Sequence, residues 1–237
     1  MLYGHIEKSC AVGYAKKMKI INISSSVSVV DQYLHEIRDV AVQEDRARFV
    51  KNLERLGEIS AYEISKELAY SKSVAQTPIS PADTNTLTVQ PVIATVIRAG
   101  LPFRDGFVHV FDKADSAFMA AYRQLGEDGV MKSVIGYAAC PKLDGRPLII
   151  ADTMVATGTT LVDAYNTLME YGTPSHVFVS SVIISRPAIE YIEAHIPNVT
   201  VYTTAIDEKL NDKFYIVPGL GDAGDISYGD KYRGPKE

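Results

Sequence analysis

Asp152 follows the apolar run Leu148-Ile149-Ile150-Ala151, and a few residues later comes the small, hydroxylated stretch Ala156-Thr157-Gly158-Thr159-Thr160. The apolar run has the length and branching of a buried strand ending at Asp152. Leu161, Ala164, Tyr165 and Leu168 then fall at i, i+3, i+4 and i+7, which predicts a helix with Gly172 as its C-terminal cap. The exposed N–H groups of such a helix start, with the positive end of its dipole, favour an anion. Gly158 lets backbone come close to it, and Thr157, Thr159 and Thr160 can donate hydroxyl hydrogen bonds. A carboxylate at the strand end suits ribose hydroxyls. Together these parts suit a sugar phosphate, although an ordinary well-capped strand-to-helix turn would also use them. The stretch is neither a Walker A loop, having no Gly-Lys-Ser/Thr, nor a GxGxxG fingerprint.

Arg98 follows the apolar run Val92–Ile97 directly and precedes Ala99-Gly100. A cation at the mouth of a buried strand can meet an anion where ligands bind in such sheets, or can simply cap the strand in solvent. Farther on, Tyr215-Ile-Val-Pro-Gly-Leu-Gly-Asp-Ala-Gly-Asp225 is too rich in glycine for regular structure. With Pro218 and fixed apolar residues at Ile216, Val217 and Leu220, it reads as backbone held in special conformations and not as a linker.

The elements that must position these residues follow from periodicity. Residues 28 to 72 read as helical, with stripes at Val30, Tyr33, Leu34, Ile37 and at Phe49, Val50, Leu53, Leu56, Ile64. Residues 73 to 90 read as a loop followed by an edge strand Thr86–Val89, and Val92–Ile97 as a buried strand. Asp105–Phe111 reads as a short helix, Ala117–Tyr122 as an extended run, Gly126–Gly129 as a turn and Ser133–Ala138 as another extended run. His176–Ile184 and Val199–Ile206 are strands, separated by a helix holding Ile189, Ile192 and Glu193. Strands alternating with helices imply an α/β fold with a largely parallel sheet.

At 237 residues, with 46% hydrophobic and 22% charged, the chain suits one α/β domain with a substantial core. A net charge of −5 argues against generic binding to nucleic acid or an anionic membrane. Two cysteines, Cys10 and Cys140, make no disulfide framework or metal cluster and point to a reducing cytoplasm. No apolar run reaches the roughly 18 residues of a spanning helix, and residues 1–17 lack the apolar core of a signal peptide. The five histidines are scattered without metal-ligand spacing.

Three stretches share one resemblance. Asp152-Thr-Met-Val-Ala-Thr-Gly-Thr-Thr160, Ile97-Arg-Ala-Gly-Leu101 and Tyr215–Asp225 resemble the ribose-phosphate loop, the pyrophosphate turn and the base loop of the type I phosphoribosyltransferases, in the uracil phosphoribosyltransferase version. The likeness runs from about Met18 to Gly229, so residues 1–17 read as an upstream extension without assigned function and 18–237 as a single domain. Within it, 18–72 is the helical arm and 73–237 the catalytic core. Tyr62–Leu68 resembles the end of the family's arm, which there contributes to the subunit contact.

The resemblance implies catalysis by Arg98, Arg123 and Asp222. It implies phosphoribosyl diphosphate binding by Arg98, Arg123, Asp152, Thr153, Met154, Val155, Ala156, Thr157, Gly158, Thr159, Thr160 and Asp222, and uracil binding by Ile216, Gly221, Asp222 and Ala223. Thr153 departs from the family's usual proline. A single acid at Asp152 implies Mg²⁺ held mainly by the substrate, with no protein metal site. The expected function is conversion of uracil and 5-phosphoribosyl 1-diphosphate to UMP and diphosphate, by a cytoplasmic homodimer or higher homo-oligomer that uses neither nucleic acid nor membrane. The alternatives are a nucleotide-sensing, RNA-binding regulator on the same fold, or a phosphoribosyltransferase for another base, which would differ in 215–225.

Overall fold

The computed structural model describes residues 18–125 and 131–231, without the side chains of residues 123–125 and 131–133. In chain order the elements begin with β1 (Lys19–Asn22), α1 (Val29–Arg38), α2 (Val40–Gln43) and α3 (Arg46–Ser65). There follow β2 (Tyr70–Gln76), β3 (Pro81–Leu87), β4 (Val92–Ile97), α4 (Leu101–Val110), β5 (Asp115–Leu125) and β6 (Met131–Ala139). The remainder is β7 (Pro147–Val155), α5 (Thr159–Leu168), β8 (His176–Ser185), α6 (Arg186–His195), β9 (Val199–Asp207), β10 (Lys209–Leu210), β11 (Ile216–Val217) and α7 (Ala223–Tyr228).

A seven-stranded sheet in the order β1-β9-β8-β7-β4-β5-β6 forms the middle layer. Every neighbouring pair is parallel except β5–β6. Strands covered on both faces can be apolar at every position, and the strand period of two sorts their residues between two cores. Ile93, Ile149, Ala151, Phe178 and Tyr202 join Leu34, Leu53, Phe103 and Phe107 of α1, α3 and α4. Val92, Ala94, Leu148, Ile150, Val179 and Val201 join Leu161, Leu168, Ile189 and Ile192 of α5 and α6.

The arm is welded to this frame. Buried Glu36 on α1 accepts both forks of Arg48 at 2.8 Å and the Asn52 amide at 2.7 Å, both from α3. Arg48 first, then Gln32 and Asn52, hold its carboxyl well below the usual carboxylate range. Helices α3 and α4 touch backbone to backbone, since a Cβ on Gly106 would lie 2.0 Å from the Glu54 carbonyl oxygen.

Several expected boundaries move. The helical stretch ends at Ser65, and Tyr70–Lys72 belongs to β2. The expected loop and strand over 73–90 form instead an antiparallel hairpin of β2 and β3. Its turn is tied by the Thr77 hydroxyl, which donates to the Ser80 carbonyl at 2.7 Å and accepts the Ile79 and Ser80 N–H groups at 3.2 and 3.1 Å. Both strands are largely exposed, so no apolar alternation marks them. Helix α4 begins at Leu101, four residues before the expected Asp105, with Pro102 in its first turn where no N–H is needed. Strand β7 runs past Asp152 to Val155. Gly172 caps a 3₁₀ turn, Met169–Tyr171, that extends α5. The Gly126–Gly129 turn, and the extension expected at 1–17, lie outside the described residues. Among the described residues no helix is long and apolar enough to cross a membrane.

Candidate active site

The ladder between β4 and β7 stops at Thr95↔Ala151, whereas β7 and β8 stay paired to Val155↔Ile184. Asp152 is therefore the first residue beyond the β4 ladder, at the carboxyl ends of the parallel strands where ligands bind in open α/β sheets. A cavity of about 560 Å³ opens there, lined by Arg98, Asp152, Thr157, Gly158, Thr160 and Asp222 among others. A second cavity of about 660 Å³ adjoins it, sharing Met154, Ala156, Thr160, Asp222 and Lys231, and reaches Ile216, Gly221 and Ala223.

The loop from Ala156 to Thr160 is fixed from behind. The Ser185 hydroxyl donates to the Ala156 carbonyl and accepts the Ala188 N–H at 3.0 Å, joining the loop to the start of α6. Gly158, the N-cap of α5, has φ 82°, and a Cβ there would stand 3.2 Å from the Ala188 carbonyl oxygen. Conformation and space both call for glycine. This cap supplies no side-chain acceptor to the helix start. The Thr157 and Thr159 hydroxyls lie 2.8 Å apart.

Burial pushes the Asp152 carboxyl up to about 7, against the opposing pull of the Thr153 and Met154 N–H groups. The Thr153 N–H donates to Asp152 Oδ1 at 2.7 Å. Thr153 itself is fully buried, and its hydroxyl donates to the Ala99 carbonyl at 2.7 Å. Proline could make neither bond, so here Thr153 ties β7 to the Arg98 turn.

On the opposite wall, charges alternate. Arg98 donates to Asp225 Oδ1 at 2.7 Å and to the Gly229 carbonyl at 3.2 Å. Asp222 caps α7 by accepting the Asp225 N–H at 3.0 Å. The Lys231 ammonium stands 3.7 Å from Asp222 and 3.8 Å from Asp225. The Ile97–Arg98 peptide is cis.

The model of the family described as uracil phosphoribosyltransferase matches residues 24–230, from the turn after β1 to the end of this wall. The chain belongs to the uracil phosphoribosyltransferase family. It is 41% identical over 215 residues to a uracil phosphoribosyltransferase of Porphyromonas gingivalis, covering 90% of this chain and 100% of that one. With a uracil phosphoribosyltransferase of Pyrococcus furiosus it shares 35% over 204 residues, or 84% and 85% of the two chains. A solved structure, that of the AQ2163 protein from Aquifex aeolicus, superposes with a TM-score of 0.78 at 30% identity, over 89% of this chain and 98% of that one.

Of the residues that the uracil phosphoribosyltransferase resemblance singled out, Arg98, Asp152, Met154, Val155, Ala156, Thr157, Gly158, Thr160, Ile216, Gly221, Asp222 and Ala223 gather around the two cavities. Thr153 is buried behind the wall, and Thr159 is exposed beside it. Arg123 lies on β5, its backbone paired with Ser133, and its side chain is outside the described residues.

Sequence reasoning missed Lys231 and Phe214, both of which line both cavities. Lys231 has no motif around it. Phe214 carried a faint signal, because Asn211 opens a turn in which its Oδ1 accepts the Lys213 and Tyr215 N–H groups, each at 3.0 Å. Phe214 itself takes φ 61°.

Proposed function

We propose that this chain transfers the phosphoribosyl group of 5-phosphoribosyl 1-diphosphate to uracil N1, giving UMP and diphosphate. The observation that carries this reading is the pair of adjoining cavities with Asp222 in both, the phosphate-type loop lining one and the glycine-rich base loop the other. The resemblance to relatives named for this activity supports it.

In this reading the turn from Ala156 to Thr160 holds the 5′-phosphate and Asp152 orients the ribose hydroxyls. Arg98 meets the leaving diphosphate, exchanging its bond to Asp225 for the substrate's charge, and Arg123 is the second cation. The C1–O bond to diphosphate breaks as the uracil nitrogen closes on C1, through an oxocarbenium-like transition state, and the uracil N–H proton is released. No covalent nucleophile is required. Alignment of two substrates and stabilisation of developing charge supply the acceleration. Backbone groups near Ile216 and from Gly221 to Ala223 read the uracil edge, so cytosine meets donor against donor and acceptor against acceptor.

Among the described residues no three His, Cys, Asp or Glu side chains gather as a metal site. Asp222 is committed to its cap. This donor set fits magnesium carried by the substrate's own oxygens, with Asp152 as the cavity carboxylate that would face the ribose. Bound in that way, the ion would neutralise charge growing on the diphosphate. A reducing cytoplasm and a homo-oligomer complete the reading. The first is supported by a free, half-buried Cys140, and the second by the exposed β2–β3 hairpin.

The test is a diphosphate-release assay offering uracil, cytosine, hypoxanthine and orotate in parallel. Uracil should be preferred over cytosine by roughly four orders of magnitude. Comparable turnover of any other base would replace the assigned substrate, and release with none of the four would end the enzymatic reading.

A further inference from the structure

We infer that the N-terminal arm is the positioning device of the base loop: Arg38 and Gln43, acting with Asp207, lock the Gly219–Leu220 backbone so that the groups from Gly221 to Ala223 meet the base. The inference rests on the assignment of residues 216–223 as the base loop. It adds a role to an arm whose sequence suggests only packing.

Arg38, at the last residue of α1, donates both Nη1 and Nη2 to the Asp207 carboxylate at 2.9 Å. The same Nη1 also donates to the Gly219 carbonyl at 2.9 Å. Asp207, buried at the end of β9, accepts the Gly219 N–H at 2.9 Å. Both polar groups of Gly219 are thus bound to one ion pair. The ordinary alternative is an ion pair that merely holds α1 on the sheet, but such a pair would have no reason to engage a loop backbone on both sides of one residue.

Gly219 takes φ 61°, and a Cβ there would lie 2.3 Å from the Ile216 carbonyl oxygen, so the loop doubles back tightly at this point. One residue on, the Gln43 amide donates to the Leu220 carbonyl at 3.3 Å and to the Ile37 carbonyl at 3.0 Å. The Leu220 side chain is buried in the core shared with Leu34 and Ile37. Arg46 then donates to the Ile226 carbonyl at 3.1 Å, on the helix that follows the loop. The held Gly219 and Leu220 sit between cavity-lining residues on either side, Ile216 before them and Gly221 to Ala223 after. A planar, bidentate guanidinium is suited to bridging a carboxylate and a carbonyl at once, and lysine is not.

The experiment compares Arg38→Ala, Arg38→Lys and Gln43→Ala with the unmodified chain. It reads KM for uracil and for phosphoribosyl diphosphate, amide exchange from Gly219 to Ala223, and melting temperature. Arg38→Ala should raise KM for uracil by about 10- to 100-fold while KM for phosphoribosyl diphosphate stays within about twofold. Exchange should quicken in that loop and not in α5, and Arg38→Lys should fall between Arg38→Ala and the unmodified chain. Gln43→Ala, which removes no charge, should show a smaller change with the same split if Arg38→Ala does not fold. Equal rises in both KM values, or unchanged exchange in the loop, would overturn the inference. If the unmodified chain does not use uracil, the base assignment fails, while loop-confined exchange in the variants still decides the brace.

Discussion

At the scale of single residues, Asp152 and Arg98 make opposite demands on solvent. Burial raises the Asp152 carboxyl from 3.8 to about 7, so the unfolded chain gives up this proton first. Stability from this group is therefore greatest below about pH 4, declines as pH rises toward 7, and is level above it. Asp152→Asn should lack that component of the stability profile, which urea titrations between pH 4 and 8 will show. Phosphoribosyl diphosphate binding should run the other way, tightening as the carboxylate forms near pH 7, with that increment missing in Asp152→Asn. Arg98→Ala should slow turnover more than it weakens ribose 5-phosphate binding. In the proposed mechanism its partner is the leaving group, and a lost contact to developing charge costs about 2 to 4 kcal/mol of barrier. Equal loss for both would assign Arg98 to ground-state binding. Asp225 would keep Lys231 at 3.8 Å, so an unchanged melting temperature is expected alongside.

At the scale of elements, contacts between loops and between helices carry the geometry. Thr153→Val keeps the side-chain shape but leaves the Ala99 carbonyl without its hydroxyl donor, at about 1 to 3 kcal/mol. Phosphoribosyl diphosphate binding should weaken, as calorimetry can measure, because Ala99 adjoins Arg98. Gly106→Ala would put a methyl 2.0 Å from the Glu54 carbonyl oxygen, forcing α3 and α4 apart. A loss of about 1 to 3 kcal/mol in thermal or denaturant unfolding is expected. The same elements show what was legible in the sequence. Buried parallel strands such as β4 and β8 announce themselves as short runs rich in branched apolar residues, and cavity residues such as Arg98 and Asp152 came with them because they lie at the carboxyl ends of such strands. The β2–β3 hairpin is largely exposed and its few apolar residues do not alternate, so its periodicity was silent. Helix α7 was hidden because glycine and aspartate speak first for loops, and its cap at Asp222 depends on tertiary placement. Lys231 reaches the site by chain path alone.

At the scale of the whole molecule, the hairpin projects Val74 and Ile79 at 54% and 95% exposure. A two-stranded ribbon is marginal by itself, so these side chains suit a second copy of the chain. Replacing both by aspartate should lower the sedimentation mass at micromolar concentration, and an unchanged mass would exclude the hairpin from the subunit contact. The bond from Arg38 to Gly219 spans 181 residues of sequence, which has a consequence in time and not only in space. Contacts of such separation are costly to close and come late. During synthesis, which proceeds from the N-terminus, Arg98, Asp152 and the turn at Thr157 are all made before the base loop. The arm is thus among the first parts of the chain to be made and its contact at Gly219 among the last, so both cavities, which share Phe214, Asp222 and Lys231, are completed only as synthesis ends.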